Sequence, residues 1–154
     1  MKSENKSGWL GQFDILITYK DGTQYKEIIK NRITNQAINA FRDILNGETT
    51  DLEIKYLALG SSDKSIDDDD TTLDNEQFRV EFVSTVKPQT GQLQKTAIVL
   101  DDEAVFHIKE IGIFAGDATE TTDSGFMISR VLWDRDKTEL ESIQFVRTDT
   151  IQRG

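Results

Sequence analysis

His107 is the only histidine in this 154-residue chain, and cysteine is absent. A Ser–His–Asp relay would therefore have to run through His107. That residue sits in VFHIKEIGIFAG (residues 105–116), the densest apolar run of the sequence, which argues for a structural or partly exposed histidine on a strand. Without thiols there can be no disulfide, thiolate nucleophile or thiolate-bound metal, and a single histidine is too little for an ordinary zinc site. Four consecutive aspartates, Asp67 to Asp70, together with Asp63, offer oxygen ligands of the kind calcium takes. Their spacing is not that of an EF-hand, no closing glutamate follows, and no glycine lies between Ser61 and Asp74 to turn the backbone. The stretch reads as a mobile, solvated acidic loop without a bound metal. Pairs of carboxylates suited to glycoside cleavage carry no information where 28 residues are acidic. Neither a Walker loop nor a GxGxxG fingerprint is present. The residues thus point to no catalytic set and no cofactor.

One polar side chain stands out. Glu110 falls inside the most apolar run, on the face of Phe106, Ile108 and Phe114 if alternation is unbroken. A carboxylate there needs a partner. Arg79 and Arg130, each in a strand-like stretch, are the candidates for a buried pair; the other reading is a β-bulge that turns Glu110 to water.

The elements that must position these residues are mostly strands. Residues 105–116 are apolar on both faces, as suits a strand covered on both sides. Residues 13–19 (FDILITY) alternate, Asp21-Gly22 makes a hairpin turn, and residues 24–29 return. Further strands are expected at 54–60, 78–86, 93–100, 126–133 and 140–147, the last followed by a polar tail. The chain has one good helix, residues 34–46. Thr34 or Asn35 caps it, Gly47 ends it, and Ala37, Ile38, Phe41, Ile44 and Leu45 form an apolar stripe. Packing of the Ile38, Phe41 and Leu45 edge on a sheet is expected, since a helix this short needs a partner. The fold class is mainly β: an antiparallel β-sandwich or barrel-like domain with one α-helix packed on the sheet. Residues 1–8 are expected to be a flexible N-terminal segment and residues 9–154 a single β-rich structural domain. Trp9 is read as an anchor for that segment, and Trp133 as closing the core at a strand end.

A net charge of −10 and the absence of any basic run argue against nucleic acid and anionic membranes as partners. No stretch approaches the length of a membrane span, and the first ten residues lack the apolar core of a signal peptide. The expectation is a protein made in the cytoplasm.

Five segments carry a resemblance: NRITNQA (31–37), IKYLALG (54–60), TLDNEQFR (72–79), IKEIGIF (108–114) and MISRV (127–131). In this order they resemble a family of small tail-associated structural proteins, of tail-fibre or baseplate type, from phages and prophages of Gram-positive bacteria. The shared pattern is an ITN helix start, a Tyr-hydrophobic-Ala-Leu-Gly strand, a Thr-Leu-acid-x-Glu-x-x-Arg segment, an Ile-x-Glu-hydrophobic-Gly-hydrophobic-Phe strand and a late Ser-Arg. Gln36 departs from it, standing where glycine is common. The resemblance implies a non-enzymatic virion component, made in the host cytoplasm, that forms a homo-oligomer and docks on other virion proteins. It places Glu110 in the family's acidic position. The alternatives are a head-decoration or head-fibre protein, and a carbohydrate-binding module for host cell-wall glycan; the last would need an exposed aromatic platform.

Overall fold

The structure is a computed structural model and describes residues 8–153. Most of the proposed N-terminal segment, residues 1–7, lies outside the described residues. Gly8, expected in that segment, belongs to the first strand.

Among the described residues, nine strands and one helix follow in the order β1 (Gly8–Tyr19), β2 (Gln24–Asn31), α1 (Asn35–Leu45), β3 (Ile54–Gly60), β4 (Glu76–Glu81), β5 (Ser84–Val86), β6 (Gln92–Val99), β7 (His107–Ala115), β8 (Phe126–Asp136) and β9 (Glu141–Gln152). They form two antiparallel sheets, a five-stranded one ordered β2-β1-β9-β6-β5 and a four-stranded one ordered β4-β3-β7-β8. The main core lies between them. Alternation along β1 buries Phe13, Ile15 and Ile17, which meet Ile143 and Phe145 of β9, Leu57 and Leu59 of β3, and Ile111 and Ile113 of β7. Phe145 packs edge-on against both Phe13 and Trp133. Trp133 closes the core as expected and donates its indole N–H to Glu27.

The β1–β2 turn forms where Asp-Gly predicted it. Gly22 takes φ +90°, and the Asp21 carboxylate accepts the Thr23 N–H. The expected strand at 78–86 is two strands. At Phe82–Val83 the chain leaves the four-stranded sheet as β4 and joins the five-stranded sheet as β5, which links the two layers along one side. The polar tail after Arg147 is also strand. Its Thr and Asp residues carry no apolar alternation, but β1 and β6 bond its backbone on both sides.

Thr34 caps α1, its hydroxyl accepting the Ala37 N–H and donating to the Met127 carbonyl of β8. Gly47 follows the helix with φ +79°. The packed face differs from expectation. Ala37 and Ala40 are buried, whereas Ile38 is 50% and Leu45 76% exposed. Small residues let the helix approach β8 closely, and the large apolar ones are left at its sides. Phe41 is half-buried, edge-on to Trp9 at 6.0 Å between ring centroids. Phe41→Ala is accordingly expected to cost about 1–2 kcal/mol in denaturant melts, below the 3–5 kcal/mol of a fully buried ring; a loss above about 3 kcal/mol would place that ring in the core.

The two outer faces are unlike. Over the four-stranded sheet, Leu73 joins Ala58, Phe114, Ala118 and Met127 in a second, smaller core. This explains why β7 is apolar on both faces. The outer face of the five-stranded sheet has no such cover, and Leu10, Ile28, Val86 and Ile98 stand exposed on it.

Candidate functional site

Glu110 is fully buried. Pairing is irregular between Ile108 and Glu110, so Ile108 enters the main core while Glu110 faces the opposite side. The bulge is present, but it turns Glu110 under the 61–75 loop rather than to water. There its carboxylate accepts four donors. Oε1 takes Arg130 Nε (2.7 Å) and the Asp74 N–H (2.9 Å); Oε2 takes the N–H groups of Asn75 (2.8 Å) and Ser62 (3.2 Å). Gly60 lies opposite on β3, and a Cβ there would stand 2.3 Å from Oε2 and 2.5 Å from the Asn75 carbonyl. Gly112, the next residue on the same face, leaves room for Leu73.

Of the two candidate arginines, Arg130 is the partner. It sits on β8 opposite Gly112, one step diagonally from Glu110. It is 3% exposed and binds Glu110 through Nε alone, not the two-bond fork that an arginine–carboxylate pair can make. Its Nη1 reaches Asp70 and the Ser65 carbonyl at 3.4 and 3.5 Å, and its Nη2 has no hydrogen-bond partner.

Arg79 does not meet Glu110. It lies on β4, and β3 separates β4 from β7. Instead it forms the fork with Glu76 (2.8 and 2.9 Å), bonds Ser124 and the Thr119 carbonyl, and stacks 4.2 Å over the Phe114 ring. It thereby ties the loop after β7 to β4.

The acidic run is likewise tied down rather than free. Arg32 forks onto Asp68, Asn35 donates to Asp69, and Asp70 faces Arg130. The Arg32 hydrogen bonds hold the Asp68 carboxyl below its ordinary pKa. Among the described residues no group of three or more His, Asp or Glu side chains is arranged to hold a metal ion.

A second buried charge network was not expected. Arg147, fully buried, forks onto Asp149 (3.0 and 3.0 Å) and donates to Ser129 Oγ (2.7 Å) and Asn31 Oδ1 (3.2 Å). Trp9 donates its indole N–H to the same Asp149. A Cβ at Gly11 would lie 2.3 Å from Arg147 Nη2, so glycine leaves room for the guanidinium. The signal in the sequence is parity. Ile143, Phe145, Arg147 and Asp149 share one face of β9.

Ser129 and Arg130 thus anchor one network each, on opposite faces of β8. The segments NRITNQA, IKYLALG, TLDNEQFR, IKEIGIF and MISRV, far apart in the chain, converge here. What they build is an architectural lock that fastens a loop and a helix start to a sheet. His107 stands apart, exposed and bonded to Asp134, and among the described residues no hydroxyl bonds to it.

The open surfaces lie elsewhere. Where α1 meets the end of the sandwich, Trp9, Phe41, Ile44, Leu52, Leu93 and Ile151 line an apolar groove of about 460 Å³. Two shallow hollows of about 520 and 600 Å³ adjoin on the outer face of the five-stranded sheet. No protein-family model, curated protein or solved structure matches this chain.

Proposed function

We propose that this chain is a non-enzymatic structural protein of a phage virion, of tail, baseplate or tail-fibre type, which acts by associating with itself and docking on other virion proteins. One observation carries the reading: the apolar groove at the end of the sandwich, beside a helix whose Ile38, Ile44 and Leu45 face solvent. Fully burying a side chain of that size against a partner contributes about 1.5–3 kcal/mol. The buried charge pairs serve the same role from within, holding loops rigid behind the surface that docks.

Light scattering of the wild type is expected to give an oligomer. A variant with Ile44→Asp and Leu45→Glu is expected to be a monomer with unchanged circular dichroism. Because each copy carries a charge of −10, association should strengthen as salt screens the repulsion. A wild type that stays monomeric at high micromolar concentration, in both low and high salt, would overturn the reading.

A further inference from the structure

We infer that the polar hollow on the outer face of the five-stranded sheet binds a neutral polyhydroxyl ligand, a short run of glycan. It is distinct from the apolar groove and stands independently of the assembly role.

Strand register places the hollow's side chains in rows across the sheet. One row runs Lys30, Gln12, Thr148, Gln94; the next runs Leu10, Thr150, Gln92. Five of the chain's nine glutamines line this one hollow. Few backbone groups are open for recognition here, because β9 is bonded on both sides along the hollow, β1 from Gly11 onward and β6 from Gln94 onward. An extended peptide adds at a sheet edge through backbone bonds, so the middle of a sheet is the wrong place for one. Recognition falls to side-chain amides and hydroxyls.

Three of the amides, those of Gln12, Gln92 and Gln94, are held but keep hydrogen-bonding capacity. Gln12 Nε2 donates to Asp14 (2.8 Å), Gln94 Nε2 to Thr148 Oγ1 (3.1 Å) and Gln92 Nε2 to Thr150 Oγ1 (3.4 Å). In each pair the amide is oriented through its nitrogen while its oxygen remains an acceptor, and each threonine hydroxyl keeps its proton to donate. A sugar hydroxyl both donates and accepts, which matches such a mixed surface.

Charge narrows the class. Asp14 and Lys30 are the two charged residues lining the hollow and their charges cancel, so the hollow is neutral overall within a chain of charge −10. That field disfavours polyanions and leaves neutral ligands untouched. Spacing agrees as well. Strands lie about 4.8 Å apart, close to the roughly 5 Å repeat of a pyranose chain, so the row from Lys30 to Gln94 spans about three sugar rings. Leu10, 43% exposed, offers an apolar contact for the C–H face of a ring in place of an aromatic platform.

The test is calorimetric titration of the full chain with three probes: a linear N-acetylglucosamine hexamer, a linear glucose hexamer and a galacturonic acid hexamer. At least one neutral hexamer is expected to bind and the acidic one not to. The double variant Gln12→Ala with Gln94→Ala, both on the solvent face, should keep the wild-type melting temperature and bind about tenfold more weakly, equivalent to about 1.4 kcal/mol. Failure of both neutral hexamers to bind at millimolar concentration would overturn the inference. So would binding of the acidic hexamer, binding undiminished by the double variant, or binding abolished by Ile44→Asp in the apolar groove.

Discussion

Glu110→Gln is expected to destabilise the protein by roughly 3–5 kcal/mol, the range for leaving a buried charge without its partner. The wild-type carboxylate accepts Arg130 and three backbone N–H groups of the 61–75 loop. An amide of the same shape has one oxygen to accept with. Its NH2 would face N–H donors already aimed at that position, and Arg130, 3% exposed, would lose its only short ion pair. Arg130→Met should cost less, about 2–3 kcal/mol. Glu110 would keep its three N–H donors, and an arginine with an unbonded Nη2 has fewer interactions to lose. The double variant should cost less than the sum, because each single change strands a group that the other removes. Arg79→Met combined with Glu110→Gln should be additive, since Arg79 belongs to Glu76. Chemical denaturation of the three single and two double variants measures all of this. Additivity with Arg130, or a Glu110→Gln change within about 0.5 kcal/mol of wild type, would mean that the carboxylate is hydrated.

Arg147→Met is the second large effect, again roughly 3–5 kcal/mol. Arg147 is fully buried between the sheets and lies over the Phe13 ring at 5.1 Å. Its loss would leave the Asp149 carboxylate, 6% exposed, with the Trp9 indole as its remaining side-chain donor, and would remove a bond each from Ser129 and Asn31. Arg147→Lys should also destabilise, because a lysine cannot span Asp149, Ser129 and Asn31 with one planar fork. Arg147→Met with Asp149→Leu should recover part of the loss, since replacing a buried pair by apolar side chains removes both desolvation costs. The readout is the midpoint and slope of guanidinium melts. An Arg147→Met change below about 1 kcal/mol would show that this pair contributes nothing net.

The two networks differ in how far they could be read in advance. Glu110 was conspicuous because it broke an apolar run, and a buried carboxylate must have donors. Which donors was a matter of strand order. Arg79 and Arg130 looked equivalent until β3 was found between β4 and β7. The three loop N–H groups left no trace at all, since every residue but proline carries one. Arg147 was hidden for the opposite reason: it closed an expected strand just where the apolar alternation gave way to a polar tail, so nothing marked it as buried except its parity with Ile143 and Phe145.

The helix shows the same division. Its limits followed from local chemistry, a threonine cap and a glycine stop, because capping depends on residues within one turn. Its buried side did not follow. An apolar stripe says which residues would gain from burial, not which the neighbouring strand can reach, and β8 accepted Ala37 and Ala40 while Ile38 and Leu45 stayed in solvent. Sequence by itself determined the β-rich class, the first hairpin, the helix ends and the presence of one carboxylate in need of partners, all properties of neighbours in the chain. Tertiary structure alone decided the strand order, the Glu110–Arg130 pairing, the buried Arg147 and the face left open, because each depends on contacts between residues far apart in sequence, where local propensity has no hold.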